Sequence, residues 1–203
     1  MSIVIGGLAQ FFFYCVAAFA AQNAVFGRSL GITSIVQMVE DPTRDSALFC
    51  FLLTLVQVLS APLCWLANQA MAPLALRSSL RPLVFFAITF VLVLVLVQLV
   101  KRLPGGARGE KMAAALPVAA FNTCVLGTLL ICAAQSFTLA QSIGFALGSG
   151  VGYLVSVLLV SEGMRKMNRR AVPVAFRGLP ILLIYIGILA LAIYGFTGHG
   201  LAI

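Results

Sequence analysis

Charge is what this chain has least of. Of its 203 residues, 9% are Asp, Glu, Lys or Arg, against 62% hydrophobic. A soluble domain carries roughly 25% charged residues because its surface meets water. A chain this poor in charge therefore belongs in lipid, and residues 1–203 read as one membrane domain. Carboxylates are scarcer still: Glu40, Asp41, Asp45, Glu110 and Glu162 all fall in loops or near the ends of apolar runs. That leaves no acid at mid-membrane for a conventional proton relay. The single histidine, His199, lies in the tail, which excludes a b-type haem held by axial histidines inside the bilayer. The five cysteines (15, 50, 64, 124 and 132) are odd in number and show no C-x-x-C spacing. Most of them read as small buried hydrophobes. No P-loop, dinucleotide fingerprint or catalytic triad is present, and no soluble stretch could hold a nicotinamide. The first apolar segment has no cationic n-region and no small-residue cleavage site leading into a soluble protein, so it reads as a retained span rather than a signal peptide.

What the chain does have is a series of long apolar runs. A bilayer core of about 30 Å takes roughly 20 apolar helical residues, which predicts spans near 4–26, 46–67, 83–100, 113–134, 142–163 and 179–197. Breakers separate them at Asp41-Pro42, Pro73, Pro104-Gly105-Gly106 and Pro173. Helices are the expected form, since lipid offers no partner to an unpaired backbone group. The net charge of +8 is no sign of nucleic-acid binding, because 11 of the 13 Lys and Arg residues lie in the loops after spans one, three and five. Only Arg77 and Arg81 lie on the other side. The positive-inside rule then sets both termini outside the cytoplasm of a cell bounded by its plasma membrane.

The pattern repeats at half its length. Asn23 and Asn122 are 99 residues apart, and the second and third spans recur at a similar offset as the fifth and sixth. Three spans per copy is an odd number, so the second copy (about 104–203) must enter the membrane inverted relative to the first (about 1–103). The expected fold is all-α, with six transmembrane helices as a 3+3 inverted repeat. The run from 3 to 39 is too long for one span and too short for two. It reads as a broken helix in which Gly27 loosens the backbone and polar side chains satisfy the groups that the break frees. "AFNTCVLG" at 120–127 echoes it in the fourth span. An amide in a membrane helix is often only interhelical glue, but two at matching positions point to a shared centre, with Asn23, Gly27, Gly31, Asn122 and Gly127 as candidate substrate- or ion-binding positions. Gly144, Gly148 and Gly152 form a ridge at i, i+4, i+8 that reads as helix packing. The cations between Arg165 and Arg170 read as an anchor at the inner interface.

"N-x-V-x-x-R-x-L-G-I" at 23–32, "LP-x4-N-x-x-VLG" at 116–127, "MRKMNRRAVPVAFRG" at 164–178 and "GFTG" at 195–198 together resemble the Rnf/Nqr membrane family, most closely its RnfA/NqrE-type subunits. The resemblance implies six helices in an inverted repeat, within an ion-pumping complex that passes electrons from a cytoplasmic donor to flavins or quinone. It also implies pairing with a homologous membrane subunit, as a homo- or heterodimer, and association with flavoprotein subunits. In the family each paired subunit supplies one cysteine from the first broken helix and one from the fourth, and together they hold a [2Fe-2S] cluster. Here both positions are threonine, Thr33 and Thr123, with Cys124 one residue further on. Iron–sulfur clusters are held by thiolates, and a threonine hydroxyl is a poor replacement. Hydroxyl, amide and carbonyl oxygens suit a hard cation or a polar small molecule better. Two other readings stay open beside a redox-complex subunit. One is a small ion or solute transporter, such as the membrane component of a vitamin importer, reusing the scaffold; the other is an assembly subunit whose partner carries the chemistry.

Overall fold

The computed structural model describes residues 2–41, 45–73, 76–102, 106–167 and 172–197. Pro42, Arg44, Pro104, Gly105, Arg169, Arg170 and His199, each singled out in the sequence, lie outside the described residues. Among the described residues every regular element is helical: α1 (Ser2–Val16), α2 (Ile32–Glu40), α3 (Ser46–Ala70), α4 (Arg77–Arg102), α5 (Gly106–Ala120), α6 (Thr123–Ala134), α7 (Leu139–Lys166) and α8 (Leu179–Thr197). Four of these, α3, α4, α7 and α8, are long and apolar enough to cross a bilayer, and α5 with α6 makes a fifth span bent by 50°. A shorter apolar helix covers Gly6–Ala21.

The starts of α3 and α7 fall where side chains replace the lost backbone partners. The Asp45 carboxylate accepts from the Leu48 N–H at the start of α3. Thr138 and Gln141 cap α7 reciprocally, hydroxyl to backbone and amide to backbone. Helices α3, α4 and α7 run a few residues beyond the predicted spans, whereas α8 starts and stops at the predicted 179 and 197.

The centre of the bundle is α7, which packs most extensively on α3 and α1. The glycine ridge makes the second contact possible. A Cβ on Gly144 would strike the Phe11 backbone and one on Gly148 the Cys15 backbone, so α1 lies directly on the glycine face of α7. On the opposite face of α7, the α3 side chain of Thr54 occupies the space beside Gly150. Phe137, Phe145 and Tyr14 stack edge-on near the start of α7, closing one end of the core, and the Trp65 indole N–H donates to the Phe137 carbonyl at 3.1 Å. The exterior is apolar: Phe12, Phe13, Leu66, Leu83, Val91, Leu99 and Leu191 are all exposed. An apolar exterior of this extent is what a lipid-facing bundle requires and what a soluble monomer avoids.

Candidate functional site

Both broken segments stop at an asparagine. After α1 the chain widens into a single π-type turn over Ala17–Ala21, in which the Gln22 N–H reaches back to the Ala17 carbonyl at 2.8 Å. Asn23 then ends the helix. Its Oδ1 accepts from the N–H groups of Val25 at 3.0 Å and Phe26 at 3.2 Å, donors left without helical partners. The loop closes on itself through Gly27 N–H to the Asn23 carbonyl and Leu30 N–H to the Ala24 carbonyl, both 2.9 Å. The left-handed residues of this loop are Ser29 (φ 57°) and Gly31 (φ 76°), not Gly27, whose role is to fit close to the Asn23 carbonyl. In the other break Asn122 is extended (φ −72°, ψ 139°), and its Oδ1 accepts from the Cys124 N–H at 2.8 Å. One residue type thus satisfies freed backbone donors at both breaks: Asn122 as the N-cap of α6, and Asn23 at the head of the loop leading to α2, whose own N-cap is Gly31.

The breaks meet each other. The Gly31 N–H donates to the Thr123 hydroxyl at 2.8 Å, and the Asn122 amide donates to Ser34 Oγ at 3.0 Å. The Tyr153 hydroxyl, from α7, donates to the Gly31 carbonyl at 3.0 Å and accepts from the Asn122 amide at 3.4 Å. Gly31 has no room for a side chain: a Cβ would lie 2.8 Å from Asn122 Oδ1 and 2.5 Å from a ring carbon of Tyr153. Gly127 leaves the space that Leu30 fills, with a built Cβ 2.6 Å from Leu30 Cδ1. Asn23 does not join this junction. Its amide N–H donates to the carbonyls of Phe19 and Gly152, and Ser156 donates to its oxygen at 3.2 Å. The link between the two asparagines runs through α7, by way of Gly152, Tyr153 and Ser156.

An open cavity of about 510 Å³ borders the junction, lined by Gly31, Thr33, Ser34, Gln37, Pro117, Val118, Phe121, Asn122 and Thr123. Thr33 and Thr123 both reach it and both are exposed, on the outer face of the bundle. Cys124 does not reach it. Its side chain is buried among α3 and α7, where the Gln57 amide donates to its sulfur at 3.4 Å and to its carbonyl at 3.2 Å. Thr128 and Ser149 hydroxyls complete that inner cluster at 2.9 Å from each other, and Gln57 Oε1 is a buried acceptor with no partner among the described residues. The donor set at the cavity is therefore hydroxyl, amide and carbonyl oxygen. It contains no thiol, and among the described residues no group of three or more His, Cys, Asp or Glu converges to hold a metal. These residues do not fit an iron–sulfur cluster, whose irons need thiolate sulfur.

Sequence reasoning missed Tyr153, Ser156, Ser34 and the Gln57 cluster. A signal for the α7 residues was there: Ser142, Ser149 and Ser156 recur every seven residues, and all three are buried. That spacing marks one polar stripe along a helix that is otherwise apolar.

The geometry defines an integral membrane helix bundle with two interrupted segments joined at a polar junction. The profile of the Rnf-Nqr family, described as "Rnf-Nqr subunit, membrane protein", matches residues 11–199, and the chain belongs to that family. It is 27% identical over 183 residues to a subunit of the ion-translocating oxidoreductase complex of Syntrophotalea carbinolica, covering 90% of this chain and 94% of that one. Over 187 residues it is 26% identical to a subunit of the Na(+)-translocating ferredoxin:NAD(+) oxidoreductase complex of Acetobacterium woodii, 92% and 96% of the two chains. A shorter stretch of 83 residues, 41% of each chain, is 32% identical to a subunit of the Na(+)-translocating NADH-quinone reductase of Psychromonas ingrahamii.

Proposed function

We propose that this protein is a membrane subunit of an Rnf/Nqr-like, ion-translocating electron-transfer complex, and that it works there without the family's [2Fe-2S] cluster. The carrying observation is the family match across 11–199, with relatives named as subunits of such complexes aligned over nine-tenths of the chain. The proposed architecture is six spans in a 3+3 inverted repeat, α1 with α2 and α5 with α6 forming the broken first and fourth spans. The asparagine that bonds freed backbone N–H groups at each break, and the contact between the breaks, support this arrangement. The proposed setting is the plasma membrane, with both termini outside the cytoplasm, on the strength of the cation distribution. Flavoprotein subunits and a homologous membrane subunit are the expected partners, and the exposed Thr33–Thr123 face is the expected place for the latter.

The cluster-free half of the proposal rests on chemistry. Thr33 and Thr123, the positions that the resemblance aligns with the family's cysteines, carry hydroxyls that both border the cavity, while the adjacent thiol, Cys124, is enclosed by Gln57 and Ser149 on another side of α6. A second reading, a small ion or solute transporter on the same scaffold, is favoured by that oxygen-rich cavity, since hard cations and polar molecules prefer oxygen donors. One experiment separates the readings. Affinity isolation from native membranes under anaerobic conditions should recover flavin-bearing subunits with the protein, and a Thr33→Ala Thr123→Ala double variant should leave the iron content of the complex unchanged. Isolation with an energising ATPase and no redox subunit would replace the first reading with the second. A [2Fe-2S] signal lost in the double variant would overturn the cluster-free assignment.

A further inference from the structure

At the turn between α3 and α4, two cations converge on a group that cannot neutralise them. Arg81 Nε donates to Asn68 Oδ1 at 3.0 Å, and Arg77 donates to the same oxygen through Nη2 at 3.2 Å and Nε at 3.4 Å. Asn68 is buried, 6% exposed, so it holds both guanidinium groups against the bundle end. The acceptor is a neutral amide. All five acidic side chains lie at the other end of the bundle: Glu40 and Asp41 after α2, Asp45 before α3, Glu110 in the start of α5 and Glu162 near the end of α7. At that far end Glu162 has its own cation, Arg165, at 3.0 Å.

The arrangement is electrostatically unfavourable by itself. Like charges at i, i+4 on a helix repel, and both arginines sit in the first turns of α4, where the helix dipole also disfavours a cation. A bound anion reverses both terms. Guanidinium forks match the paired oxygens of a phosphate and hold it by short charge-assisted hydrogen bonds. Beside them Leu76, Leu80 and Leu83 are all exposed, so an apolar tail has a surface to lie on directly next to the charge pair. From this arrangement we propose that Arg77, Arg81 and Asn68 form a phosphate-binding site, and that its occupant is the headgroup of a phospholipid whose acyl chains run along the exposed face of α4. The site is independent of the redox reading above, and needs only that the chain sits in a bilayer.

The test uses the full chain, delipidated in a neutral detergent, with phosphatidylglycerol as the probe and diacylglycerol of the same acyl chains as the uncharged control. Native mass spectrometry should show phosphatidylglycerol retained and diacylglycerol not. Charge-assisted hydrogen bonds of this kind predict affinity falling on the order of tenfold per arginine in Arg77→Gln and Arg81→Gln, with the Lys variants intermediate. Inorganic phosphate separates the sources: retention of lipid against it assigns the site to the headgroup, and displacement of lipid at low phosphate concentration overturns that assignment in favour of the free anion. A stability measurement guards against misfolding of these variants and of the Arg77→Gln Arg81→Gln double variant. Phosphatidylglycerol should raise the melting temperature of the wild type by more than that of Arg81→Gln, whose lipid-free stability also registers the lost bond to Asn68. Equal lipid binding by the Arg77→Gln Arg81→Gln double variant, equal retention of diacylglycerol, or an equal phosphatidylglycerol-induced rise in wild type and Arg81→Gln would overturn the proposal.

Discussion

Replacing Gly31 with alanine is the sharpest test of the junction between the two breaks. Two costs combine at this position. The backbone is left-handed, φ 76°, and an L-residue held there loses about 1–2 kcal/mol relative to glycine. The added Cβ would also lie 2.8 Å from Asn122 Oδ1 and 2.5 Å from a Tyr153 ring carbon. Neither neighbour yields easily: Asn122 Oδ1 is fixed by the Cys124 N–H, and the Tyr153 ring is fully buried. Overpacking of this kind costs about 1–3 kcal/mol, so the total loss should be about 2–5 kcal/mol. The measurement is reversible unfolding in mixed micelles, followed by helical circular dichroism as a denaturing detergent is titrated in. Tyr153→Leu should recover the share of the steric cost that falls on the Tyr153 ring and leave the Asn122 contact and the backbone part, which gives the double-mutant cycle a favourable coupling of about 1 kcal/mol. A single-variant loss below about 1 kcal/mol would mean that the loop relaxes freely, and the rigid junction described here would be wrong.

Two further substitutions probe the polar groups around it. Thr123→Val removes the oxygen that accepts the Gly31 N–H, and stranding that donor should cost about 1–3 kcal/mol in the same unfolding assay; Thr123→Ser should restore most of it, and equal loss in both variants would assign the effect to packing instead. Gln57→Leu should fall within about 1 kcal/mol of wild type, because it removes an amide whose oxygen is already orphaned while Thr128 keeps its bond to the Cys124 carbonyl. Intact stability with a collapse of ion or electron transfer by the assembled complex would assign the Gln57 amide a role in transport.

How far the sequence spoke depended on whether one segment or several decided the outcome. The apolar runs are a local property, so α3, α7 and α8 could be read almost to the residue, and the glycine ridge of α7 announced a close helix contact, though not that α1 would be the partner. Asn23 and Asn122 were equally visible as matching interruptions. Their separation into different surroundings was not, because it is decided by α7: a helix with Gly152, Tyr153 and Ser156 on one stretch offers one asparagine a carbonyl and a serine and the other a tyrosine hydroxyl. The same logic places Gly31 and not Gly27 at the strained position. Both glycines sit in one loop, and nothing local distinguishes them; what does is the approach of Asn122 and Tyr153 from segments 91 and 122 residues away in sequence. Thr123 and Cys124 make the point most directly. Adjacent in the chain, they part at the helix surface, one hydroxyl facing the open cavity beside Thr33 and one thiol turned into the bundle. A helix turns about 100° per residue, so a slip of one position exchanges an outward donor for an inward one. The cavity's chemistry accordingly follows from which of the two neighbours the Asn122 cap leaves facing outward, and that orientation is fixed only when the second break docks on the first.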